Sequence, residues 1–167
     1  MTTARPDFAP TAVASASFAV PAETVWRYRL DFSNLPEYNP DVSGVERVRD
    51  GDSGGGVGGA LGPGARYAFG LADARQPGIS HPVELWIIDA EKPTLVTAGM
   101  AGASAAYEEF VIRPLDDIHC EATLTLWLLL PDGVDERTLT AAAAGALGQI
   151  EKEVRLMKAV LEGRAVA

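Results

Sequence analysis

The sequence predicts an α+β domain built from an antiparallel sheet of about seven strands, two short helices after the first strand and one long helix at the C-terminus. Three observations carry that prediction. A small-residue apolar stretch, Ala12 to Val20, runs straight into a helix start at Pro21-Ala22-Glu23. Alternating segments then follow one another from Arg66 to Leu130, separated only by turn residues. Finally, Asp135 to Gly163 keeps a helical period for longer than any other part of the chain.

Residues 1–10 carry two prolines and little apolar periodicity, which reads as a flexible leader before a domain spanning 11–167. The first helix places Ala22, Val25, Trp26 and Leu30 on one face with Arg27 and Arg29 flanking it, and it ends near Asp31. Ser33-Asn34-Leu35-Pro36 offers capping groups and a proline, and Pro40 stops the very short helix that follows. Val42 to Arg49 is β-branched enough for a strand, with a bulge expected at Gly44. Asp50 to Gly64 holds eight glycines but no Gly-Lys-Ser/Thr, so it is a hairpin connection or a mobile flap and not a phosphate-binding loop.

Arg66–Ala72, Ile79–Ala90, Thr94–Met100, Ser104–Pro114 and Asp117–Leu130 read as successive strands. Pro93, Gly102 and Asp116-Asp117 punctuate them, and connections that short join antiparallel neighbours. In the terminal helix Leu139, Ala143, Ala146, Leu147, Ile150, Val154, Met157 and Leu161 fall near one face. About 28 residues would span roughly 42 Å, long enough to lie across the sheet, with Gly163 available as a stop.

A chain of 167 residues with a net charge of −9 is poorly suited to phosphate backbones, so no nucleic-acid partner is expected. No apolar run reaches the roughly 18 residues of a membrane helix, so no membrane insertion is expected. Cys120, the sole cysteine, cannot form an intrachain disulfide, and it fits a reducing, cytoplasmic setting. His81 and His119 show no metal-ligand spacing, and neither a metal nor a cofactor is expected. Ser80-His81 and His119-Cys120 are adjacent on strands and so point to opposite faces, which excludes each as a nucleophile–base pair.

The words Phe18-Ala-Val-Pro-Ala-Glu-Thr-Val-Trp26 and Asp31-Phe-Ser-Asn-Leu-Pro-Glu-Tyr-Asn-Pro40, with Gly62-Pro-Gly-Ala-Arg-Tyr67 and Ile88-Asp-Ala-Glu-Lys-Pro93, resemble the START-like (SRPBCC) superfamily. The likeness is to its polyketide cyclase/dehydrase and lipid-transport branch and covers Ala12 to Gly163. It implies a helix-grip fold, in which a curved antiparallel sheet wraps the long helix around a largely apolar cavity for lipids, polyketides or hormones. A cyclase of this kind would place polar hydroxyls and often an arginine in that cavity. The strand centres here offer Val83, Leu85 and Ile87, with Arg66 and Arg113 near ends, so that feature does not carry over.

Two internal glycines, Gly145 and Gly148, each cost about 1 kcal/mol in a helix and require either close helix–sheet contact or a ligand in the volume they leave. Tyr38, Tyr67, Phe69, Phe110, Leu147, Ile150 and Val154 are the candidate cavity wall. Alternation turns Cys120, Ala122, Leu124, Leu126 and Leu128 inward and sends Trp127 outward, with Trp86 facing out as well. The same rule points one of Glu108 and Glu109 inward, where a carboxyl group could do acid–base work beside Tyr38 and Tyr107.

These features lead to binding or transport of a small hydrophobic molecule, driven by apolar burial at about 25 cal/mol per Å². Polyketide cyclisation or dehydration in the same cavity is the alternative, using Tyr38, Tyr107 and Glu108 or Glu109. A third reading is a protein-interaction module with an outward Trp86–Trp127 patch, and an apolar face could also close a homodimer.

Overall fold

The computed structural model describes residues 4–51, 61–73 and 76–166. The elements are β1 (Ala12–Phe18), α1 (Ala22–Leu30), a 3-10 turn (Phe32–Asn34), α2 (Leu35–Tyr38), β2 (Val42–Arg49), β3 (Arg66–Ala72), β4 (Ser80–Asp89), β5 (Thr94–Ala101), β6 (Ser104–Pro114), β7 (Cys120–Leu129) and α3 (Glu136–Val166). This is the helix-grip α+β architecture. The seven strands form one antiparallel sheet in the order β1-β7-β6-β5-β4-β3-β2, so β1 and β2, consecutive in the chain, lie at opposite edges. The connection through α1 and α2 crosses from one edge to the other on the inner face.

Local chemistry sets the element ends. The Asp31 carboxylate accepts from Ser33 N at 3.0 Å and starts the 3-10 turn, and Asp135 accepts from Thr138 N at 2.8 Å at the head of α3. The register of β2 shifts between Ser43 and Glu46, where Gly44 takes φ 63°, a left-handed conformation that explains the bulge. At Gly51 a Cβ would sit 2.3 Å from the Gly62 carbonyl oxygen, so the two ends of the glycine-rich loop meet backbone to backbone. The expected flap of that loop falls largely on 52–60, outside the described residues. Gly163 does not end α3, which continues through it to Val166.

The sheet has two distinct faces. Phe18, Tyr67, Ile87, Leu95, Phe110, Ile112, Cys120, Ala122 and Leu124 are buried on the inner face with Val25, Phe32, Tyr38, Ile150, Val154 and Met157. The outer face holds a second cluster of Val96, Tyr107 and Trp127 with Ile88 and Leu129 around it. Trp127 does point outward as alternation requires, but it is only 1% exposed. Residues 4–10, expected as a flexible leader, lie over it: the indole Nε1 donates to Phe8 O at 3.0 Å and the Arg5 guanidinium sits 5.0 Å from the ring centre. An exposed Trp86–Trp127 patch is therefore absent, because Trp127 is covered and Ala98 and Tyr107 lie between the two rings along the sheet.

Candidate functional site

Next to the β5–β6 turn the inner face carries a row in which two small residues, Gly99 and Ala106, lie between two leucines. Leu85, Gly99, Ala106 and Leu128 are successive cross-strand partners on β4, β5, β6 and β7. All are half-buried, whereas Leu95, Phe110 and Leu124, two inward-facing positions further along the same strands, are fully enclosed. A Cβ at Gly99 would approach only the Glu84 carbonyl oxygen, at 3.4 Å, so no described side chain fills the space above it.

Opposite, α3 runs close to β1, α2 and β7 and stands off from the central strands. Its sheet-facing stripe is Leu139, Ala143, Ala146, Ile150, Val154, Met157 and Leu161, buried from Ala146 onward. Leu139 belongs to that stripe yet is 47% exposed, and Ala143 is half-buried. The stretch of α3 before Ala146 is thus less enclosed than the rest, and Gly145 and Gly148 are exposed and not there for close contact with the sheet. A Cβ at Gly145 or Gly148 would meet no described atom within 4 Å.

Beside this row on the inner face lies a charged cluster that includes Glu108. Arg29, 1% exposed, projects from α1 into the interior. Its Nη1 donates to the Tyr38 hydroxyl at 2.7 Å and lies 3.2 Å from Glu153 Oε1, while Nη2 donates to Glu108. The guanidinium is packed against the rings of Phe32, Tyr38 and Phe110 at 4.8, 5.4 and 5.3 Å. Asn39 Nδ2 donates to Glu153 Oε2 at 3.4 Å and completes the shell. Arg29 Nε and the Tyr67 hydroxyl are both buried without a hydrogen bond of good geometry.

One buried arginine serves two carboxylates, Glu108 and Glu153. Burial, opposed by Arg29 and reinforced by Glu108, pushes the Glu153 carboxyl up to about 7. Burial likewise holds the Tyr38 phenol well above its usual range, against the pull of Arg29. For Arg29 burial acts to lower the value, but Tyr38, Glu108 and Glu153 outweigh it and keep the guanidinium charged.

The structure brings together Tyr38, Phe110, Ile150, Val154 and Glu108 of the sequence-predicted residues, with Tyr67 and Phe69 further along the same face. It separates others. Tyr107 is on the outer face with Val96 and Trp127 and cannot act beside Tyr38. Glu109 also faces out, 3.6 Å from Arg5. Leu147 is 39% exposed, since the residue after buried Ala146 is turned about 100° around the helix. Arg29, Asn39 and Glu153 are the members of the site that sequence reasoning misses. Arg29 lies four residues after Val25 and three after Trp26, so it falls on the buried stripe and not on its flank.

Elsewhere the exposed histidines pair with carboxylates, His81 with Asp73 and His119 with Asp116, each at 2.9 Å. Among the described residues no group of three or more His, Cys, Asp or Glu could hold a metal ion, and no helix is long and apolar enough to cross a membrane. A surface pocket of about 510 Å³ lies between α1 and the end of α3, lined by Pro21, Arg27, Tyr28, Leu161 and Arg164 among others. A groove of about 300 Å³ between β1 and α3 includes Val154.

Comparison with known proteins agrees with this architecture. The chain is similar in fold to a START superfamily protein from Mycobacterium smegmatis, with a TM-score of 0.71 and 15% identity over 91% of this chain and 97% of that one. It is similar to the Zhui aromatase/cyclase from Streptomyces sp. R1128, with a TM-score of 0.71 and 14% identity over 92% and 94%. A protein from Thermus thermophilus matches with a TM-score of 0.68 and 16% identity over 92% and 97%. No curated protein matches the sequence. Residues 9–162 match the family described as polyketide cyclase / dehydrase and lipid transport, and the chain belongs to that family.

Proposed function

We propose that the chain binds a small, largely apolar molecule between the central strands and the first half of α3. The observation that carries this reading is the row Leu85–Gly99–Ala106–Leu128, the part of the inner face next to the β5–β6 turn, left half-buried while the rows beyond it are enclosed. A ligand burying about 200 Å² of apolar surface there would gain roughly 5 kcal/mol before the costs of association. The unpaired, buried Cys120 supports a reducing, cytoplasmic setting. The experiment is native mass spectrometry of protein purified from its own host, followed by denaturing extraction. A stoichiometric released lipid or polyketide supports the reading, and a protein that neither carries nor takes up any apolar compound counts against it.

A second reading, cyclisation or dehydration of a polyketide-like substrate, is favoured by the charged cluster. Glu153, raised to about 7, Tyr38 and Glu108 are grouped by Arg29 where a general acid and base could be supplied. Glu108→Gln that lowers turnover while sparing affinity would support it, and equal loss of both would assign Glu108 to binding.

A further inference from the structure

We infer that Glu108 selects the ligand, and that the space accepts neutral molecules carrying a hydroxyl or phenol donor in preference to carboxylates of the same shape. The inference rests on the binding reading above and adds the polar chemistry of that site. Glu108 lies on the inner face, two residues from Ala106 on β6 and paired across the sheet with Thr97 and Leu126. It borders the open row on the side where the enclosed core begins. Its side chain is 17% exposed although it faces inward, so solvent reaches it from the concave side.

The cluster leaves Glu108 with capacity and leaves Arg29 with none that a ligand can reach. Glu108 Oε1 receives Arg29 Nη2, and its other oxygen has no hydrogen-bond partner among the described residues. A carboxylate oxygen offers only acceptor lone pairs, so its natural complement is an O–H or N–H donor. Arg29 is the one buried cation among the described residues, and it is already engaged by Tyr38, Glu108 and Glu153. Its remaining Nε is buried as well and so is closed to a ligand head group. An incoming carboxylate would therefore meet the Glu108 charge without a free counterion in a partly desolvated space, where like charges repel strongly. A hydroxyl would find a charge-assisted acceptor instead.

The test uses the full chain near pH 7.5 and a neutral fluorescent probe, N-phenyl-1-naphthylamine, displaced by 2-naphthol, 2-methylnaphthalene and 2-naphthoate. These share a ring system and differ in one substituent: a donor, an apolar group and an anion. The expected result is displacement by 2-naphthol at a concentration about tenfold or more below that of either other compound, the advantage of a hydrogen bond to a charged acceptor. Glu108→Gln should shrink that advantage to about threefold or less and admit the naphthoate. Naphthoate equal to or better than naphthol, or naphthol no better than methylnaphthalene, overturns the inference while leaving the binding reading intact. If the neutral probe finds no site, the binding reading falls and this one with it. The wild-type series decides the question even if Glu108→Gln fails to fold.

Discussion

Arg29 on α1 and Glu153 on α3 form a buried ion pair 3.2 Å apart, which ties the short helix after the first strand to the long terminal helix. The same guanidinium reaches Glu108 on β6, so one side chain joins both helices to the centre of the sheet. Buried ion pairs often add little net stability, yet losing one partner leaves uncompensated charge in the core.

Replacing Arg29 with Met should therefore destabilise the fold by about 3–5 kcal/mol, since Glu108 and Glu153 would face each other with no counterion. Arg29→Lys should also be costly, because an ammonium group cannot match the fork that serves Tyr38 and both carboxylates while stacking on Phe32 and Phe110. Urea denaturation measures both. A loss below about 0.5 kcal/mol for Arg29→Met, within the range of ordinary surface changes, would contradict the cluster's structural role.

The pH dependence follows from Glu153. Its carboxyl is raised from 4.5 to about 7 in the folded protein, so between those values the native state holds a proton that the unfolded chain has released. The contribution of Glu153 to stability is then fully present below about 4.5 and declines as pH rises through about 7. Glu153→Gln should remove that decline and gain on the wild type as pH goes from 5 to 8. Parallel stability curves for the two proteins over that range would contradict the assignment.

Residues 4–10 should behave as part of the outer face. Deleting residues 1–8 removes the Phe8 carbonyl that receives Trp127 Nε1 and the Arg5 guanidinium over its ring. A loss of about 1–3 kcal/mol and a red shift in tryptophan emission are expected. Unchanged emission and stability would mean that this segment does not cover Trp127 in solution.

Much of the fold is legible in the sequence because it rests on local signals. The strand alternation that turns Cys120, Ala122 and Leu124 inward is a property of the backbone pleat, and all of these are fully buried. The Arg29 cluster is not legible, since an arginine on an apolar stripe reads as a flank unless its carboxylates are known. Those carboxylates are far off in the chain on β6 and α3. Alternation correctly aims Trp127 outward but carries no information about residues 4–10 folding back over it. The half-burial of the row Leu85–Gly99–Ala106–Leu128 is equally hidden. Gly99 and Ala106 are ordinary strand residues in sequence, and only cross-strand register sets them side by side.

The space over that row is the claim on which the functional account depends, and Ala106→Leu tests it most directly when compared with Ala122→Leu. Ala106 is half-buried, whereas Ala122 on the same inner face is fully enclosed. Titration with N-phenyl-1-naphthylamine should give saturable binding near one per chain in the wild type and lose it in Ala106→Leu. That substitution should leave stability within about 0.5 kcal/mol of the wild type, while Ala122→Leu should cost about 1–3 kcal/mol from overpacking. Saturable binding that survives Ala106→Leu unchanged, or a destabilisation of Ala106→Leu as large as that of Ala122→Leu, would contradict a ligand space on the inner face beside the β5–β6 turn.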